Sequence, residues 1–203
     1  MTLKAKNTPT VVAFCILLYV GFAVANGFDW SFVQTVKVGK TGIAPQNPVL
    51  SIAFYLLVLV ITYLLPSEWK HRLIYVRWHH PLPGCRVFTE LIDRDSRIAR
   101  DELSRQYGAL PHDSGEQNAL WYRIYKKKQS DKVVCNSHGR WLLFRDLFSI
   151  AIVLLIPSCA FTFWYSDAEI GMLFSLVNVA LVAVLWVCAR NTGERFACNV
   201  LAR

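Results

Sequence analysis

Four stretches of this chain are apolar almost without interruption: Pro9–Phe28, Asn47–Pro66, Leu147–Tyr165 and Ile170–Ala189. A helix rises 1.5 Å per residue, so about 20 such residues cross a hydrocarbon core of about 30 Å. A soluble core can bury one helix of this kind. Four in 203 residues leave too few polar side chains to coat them. The pattern predicts four transmembrane helices with a small helical domain, residues 67–146, inserted between spans two and three. The fold class is therefore an all-α membrane protein: a hairpin over 1–66, the domain, and a second hairpin over 147–203 ending in a short tail.

Inside the domain the period changes. In "PSEWKHRLIYVRWHHPLPG", Trp69, Leu73 and Val76 recur at helical spacing with Lys70, Arg72 and Arg77 beside them. Trp and basic residues interleaved beside a span predict a helix in the lipid headgroup layer, capped by Ser67 and stopped by the prolines. "DRDSRIARDELSRQYG" predicts a short polar helix capped by Ser96 and closed by Gly108. Ser114 and Gln117 match a capping box and start a helix carrying "EQNALWYRIYKKK". There Leu120, Trp121, Ile124 and Tyr125 form one apolar stripe, fit for internal packing or for docking a partner. Lys126, Lys127 and Lys128 follow as diffuse charge for anionic lipid or an acidic partner. A last helix starts at Ser130 or Asp131 and leads into span three, with Gly139 the place where it would break.

Charge sets the orientation. Of 22 Lys and Arg, 15 lie between Ser67 and Asp146, two precede span one, two lie between spans one and two, and three follow span four. Basic loops stay on the cytosolic side, so the domain and both termini are expected there. Lys4, Lys6, the apolar run and Ala23-Val24-Ala25 also read as a cleavable signal peptide; either reading leaves residue 29 outside and residue 67 inside. None of the six cysteines is expected in a disulfide, because they lie in spans or on the reducing side.

Candidate chemistry is thin. His79, His80, Cys85, His112, Cys135 and His138 offer zinc-type ligands, but their spacing fits no compact ligand knuckle. Arg105 and His112 resemble the Arg-x4–6-His pattern of HEPN-type nucleases, with Gly108 and Pro111 intervening against a shared helix. The carboxylates at 93–102 alternate with arginines, as on a solvated face. The spans hold no Asp, Glu, Lys, Arg or His, which weighs against a pump or proton-coupled transporter. No catalytic residue, metal or cofactor is assigned. Nucleic acid is disfavoured, since the domain's 15 basic residues face 10 acidic ones. Asn178, an amide near the middle of span four, is the candidate for span–span contact and homo-oligomer formation. Pro157-Ser158 is the expected kink in span three.

"EQNALWYRIYKKK", with "HPLPGCRVF" upstream and "RWLLFRD" leading into span three, is similar to segments of uncharacterised bacterial multipass inner-membrane proteins. The resemblance implies a bacterial inner-membrane location. By architectural analogy, chains of this build serve as membrane subunits of stress or phage-defence systems. The expected role is a non-enzymatic, oligomeric subunit that anchors or signals to a cytosolic protein. The alternative is a membrane-permeabilising effector triggered through its cytosolic domain. The topology has a direct check. Reporter fusions at Gly42 and His112 should report opposite sides of the membrane, and agreement between them would sink the four-span arrangement.

Overall fold

The computed structural model describes residues 3–26, 38–39, 42–43, 60 and 64–203. The second expected span, 47–66, and the link before it lie almost wholly outside the described residues. The described chain is helical apart from a two-residue antiparallel ladder, β1 (Val38–Gly39) against β2 (Gly42–Ile43). Its helices are α1 (Leu3–Ala25), α2 (Ser67–Tyr75), α3 (Arg100–Tyr107), α4 (Ser114–Lys128), α5 (Lys132–Tyr165) and α6 (Ala168–Leu201). Three of them, α1, α5 and α6, are long and apolar enough to cross a membrane, the signature of a membrane protein.

The chain divides into two compact units. One comprises 1–7, 66–145 and 184–203; the other comprises 8–65 and 146–183. The second is built from the apolar parts of the long helices. Phe22 packs on Phe161 at 5.3 Å and on Phe174 at 6.1 Å between ring centroids. Beside them Asn26 donates to the Thr162 hydroxyl, and Ser166 donates back to the Asn26 carbonyl oxygen. That knot satisfies amide and hydroxyls where water is scarce. Leu17, Ile156, Met172 and Leu176 point outward, as lipid-facing residues do. Asn178 donates its amide N–H to the Phe174 carbonyl four residues back in α6. Helix α5 is unbroken at Pro157, and the Ser158 hydroxyl donates to the Leu154 and Leu155 carbonyls. It is also unbroken at Gly139, the point the sequence left open.

The first unit holds the small domain, and several of its helix boundaries differ from expectation. Helix α2 begins at Ser67 with Pro66 as its cap, and it ends at Tyr75, before the prolines. Val76 takes a left-handed conformation, φ 52°, the role a glycine usually plays after a helix. The freed Ile74 carbonyl accepts the Trp186 indole N–H at 2.8 Å. Ser96 caps nothing: α3 starts at Arg100 with Ala99 before it, because Asp95 and Arg97 instead close on each other. Gly108 does end α3, at φ 84°. For α4 the cap is Asp113, whose carboxylate accepts from the Gly115 and Glu116 N–H groups. A carboxylate at a helix N-terminus outcompetes the neighbouring Ser114 hydroxyl. Gln117 is released for another task. Its buried amide donates to the His112 carbonyl and accepts from the Phe88 N–H.

The core of this unit gathers Val87, Phe88, Leu91 and Ile92 from the turns over 83–94. Leu103 of α3, Leu120 and Ile124 of α4, and Val134 and Trp141 of α5 join them. The remainder comes from the segment expected to be a short tail. That segment continues α6 as helix to Leu201, and Phe196, Ala197, Val200 and Leu201 are buried in the core. Ile124 has no exposed surface. Ile124→Ala should therefore lower the unfolding free energy by about 2–5 kcal/mol, measured by denaturant titration in mild detergent.

Candidate functional site: an aromatic cavity

The stripe on α4 divides in two. Leu120 and Ile124 are buried, while Trp121 and Tyr125 lie at the edge of the core and line a cavity of about 450 Å³. Its walls also include His71 from α2, His138 and Trp141 from α5, and Phe196 from α6. The rings follow an order. His71 stacks on Trp141 at 18°, Trp141 on Phe196 at 19°, and His138 on Phe196 at 9°. Trp121 meets Phe196 edge-on at 89°, and Tyr125 does so at 83°. One set of near-parallel rings thus stands against a second set at right angles to it. Trp121 donates its indole N–H to the Ala197 carbonyl at 3.1 Å, which holds this corner closed.

Two glycines make the approach possible. A Cβ at Gly84 would stand 2.6 Å from Asn118 Oδ1 and 3.0 Å from the Trp121 ring. A Cβ at Gly193 would stand 1.8 Å from Tyr75 Oη and 2.7 Å from Trp141 Nε1. Both positions are buried, so any side chain there would displace a wall of the cavity.

The polar groups are few and unusual. His71 Nε2 and Asn118 Oδ1 are buried without a hydrogen-bond partner, and the Trp141 indole N–H meets the Tyr75 hydroxyl. Burial, with Arg145 and Lys70 adding to it, lowers the His71 imidazole to about 4. Burial also lowers His138, again with Arg145 adding to it. Both rings are therefore neutral at physiological pH. His138 Nδ1 lies 3.1 Å from the Tyr125 hydroxyl, and burial raises that phenol, which stays protonated. Burial raises the Tyr75 phenol as well, against the opposing charge of Arg86. Arg86 is itself buried, lies 5.4 Å over the Tyr75 ring, and donates to Glu194 at 2.7 Å.

A second, more polar cavity of about 470 Å³ shares His71, Leu82 and Asn118 with the first. Glu68, Arg72, His79 and His80 line it, and Glu68 pairs with Arg72. Arg72 also lies 5.4 Å and 5.8 Å from the Trp69 and Trp78 rings, both exposed. The lysines expected to act as diffuse charge have aromatic neighbours. Lys126 lies 5.3 Å over Tyr122 and Lys127 lies 5.5 Å over Tyr107. Burial lowers Lys128, against Glu102 and Asp131. Among the described residues no three His, Cys, Asp or Glu side chains converge as a metal site requires. Arg105 lies on α3 and His112 in the loop after it.

Comparison with protein families, characterised proteins and solved structures finds no match. The cavity was not visible in the sequence. His71, Asn118, Trp141 and Phe196 come from four helices; beyond Trp121 and Tyr125 of the α4 stripe, only Phe196, Ala197, Val200 and Leu201 carried a signal. They repeat the spacing of the α4 stripe.

The lowered His71 sets a pH response. The unfolded chain takes up a proton near 6.5 and the folded ring only near 4, so stability from the neutral ring is complete above 6.5 and is lost as pH falls toward 4. The unfolding midpoint should fall across that window. His71→Phe, which keeps a ring on Trp141 and removes the titrating nitrogen, should flatten the fall. An unchanged profile would assign the response to another group.

Proposed function

We propose that this chain is a non-enzymatic, oligomeric subunit of a bacterial inner membrane that anchors or signals to a cytosolic protein partner, in a stress or phage-defence setting. The observation that carries the reading is the dual use of α5 and α6. Each is long and apolar enough to span a membrane. Each also supplies rings to the core of the small domain, Trp141 from one and Phe196 from the other. These two rings stack at 5.7 Å. A shift of one helix along the other breaks that stack, so a change among the spans has a direct readout in the domain. Packed interfaces of this kind change between discrete arrangements rather than deforming smoothly.

The partner surface in this reading is the α4 face carrying Tyr122, Lys126 and Lys127, which are exposed. The exposed Trp69, Leu73, Val76 and Trp78, with Arg72 and Arg77, suit the headgroup layer. Oligomer contacts draw on α6. An amide carries two donors and an acceptor, so the bond from Asn178 to Phe174 leaves it capacity for a neighbouring copy. In mild detergent, light scattering should give a multiple of the chain mass, and Asn178→Leu should weaken assembly by about 1 kcal/mol per contact. A monomeric wild type would overturn the oligomer. Release of a trapped dye from vesicles carrying the protein would overturn the anchor in favour of a pore.

A further inference from the structure

We infer that the aromatic cavity of the first unit binds a neutral, flat ring compound whose edge carries both a hydrogen-bond donor and an acceptor. Its size fits this class, because small-molecule sites run from about 300 to about 1,000 Å³ and this cavity is about 450 Å³. Its walls fit too. A flat ring can stack on the parallel set, Trp141 and Phe196, and present its edge to the perpendicular Trp121. Both geometries are favourable for aromatic pairs. An acyl chain would gain contact area there but nothing from the ring orientations.

Neutrality follows from the lining. Among the described residues no Asp, Glu, Lys or Arg lines the cavity, and its two imidazoles are neutral. An ion entering would shed its hydration and meet no counter-charge. A quaternary ammonium, the usual guest of aromatic cages, lacks the carboxylate that would offset its desolvation. The paired Glu68 and Arg72 leave the adjoining polar cavity without net charge from those two residues.

The edge chemistry follows from the unpartnered atoms. Asn118 Oδ1 accepts, and His71 Nε2, shared by both cavities, donates or accepts according to its tautomer; both atoms are buried, line the cavity and lack partners. Groups of this kind are costly to leave unpaired, so a guest that reaches them gains more than its ring area. As a trigger for the relay between spans and domain, the guest rests on the function proposed above; as a binding site it rests on the cavity alone.

Benzimidazole is a suitable probe, with an N–H donor and a ring-nitrogen acceptor on a flat bicycle. Indene matches its shape and has neither. The full chain in detergent should bind benzimidazole saturably in equilibrium dialysis, about tenfold more tightly than indene. His71→Phe and Asn118→Leu should each weaken benzimidazole several-fold and leave indene unchanged. Absence of saturable binding, equal affinity for the two probes, or unaffected variants would each overturn the proposal. If a variant fails to fold, the wild-type melting temperature decides: it should rise with benzimidazole and stay level with indene, and any other result overturns the site. Binding that changes neither oligomer mass nor partner association keeps the site and removes its role as trigger. A monomeric chain that still binds removes the oligomeric subunit and keeps the site.

Discussion

The indole of Trp121 is where three distant stretches of chain become one core. It packs edge-on against Phe196 and donates to the Ala197 carbonyl, which ties α4 to the last turns of α6. It also stands against Gly84, which admits the turn at Pro83–Arg86 with no side chain between. About 80 residues of inserted domain make a marginal core on their own. The buried surface of Phe196, Val200 and Leu201 supplies what those residues lack. The rest of the unit depends on this junction, including the cavity whose two walls meet there.

Electrostatics gives the same junction its specificity. Arg86 is buried, donates to Glu194 of α6, and lies over the Tyr75 ring. Glu90 also pairs with it, at 3.3 Å. A buried ion pair is weak evidence for net stability, since desolvation consumes much of the attraction. Its effect here is on register. A slide of α6 by one turn would leave Arg86 buried with one carboxylate fewer, a far larger penalty than any lost ring contact. Trp186, bonded to the Ile74 carbonyl, fixes the same register nearer the apolar part of the helix.

Periodicity revealed the long helices and the α4 stripe, because runs near 20 apolar residues and an i, i+1, i+4, i+5 pattern are local properties. It missed where elements stop. Helix α6 was expected to end near Ala189 because Arg190, Glu194 and Arg195 look like a solvated tail, whereas Glu194 is one half of the pair with Arg86. Asp113 took the cap expected of Ser114 by a competition between adjacent side chains that composition cannot rank. The cavity was illegible for a deeper reason. His138 read as a zinc-type ligand and His71 as one basic-stretch residue among several, and only tertiary packing around them makes them neutral rings in an aromatic wall. Gly84 and Gly193 likewise carry meaning only through what stands opposite them.

The extension of α6 into the domain core also orders events during synthesis. Residues 66–145 leave the ribosome well before 184–203, yet the two segments share one core. Trp121 and Tyr125 therefore wait, with an open apolar edge, until residues 184–203 have been made. The core cannot close early, and a chain cut short before Phe196 keeps its aromatic edge exposed.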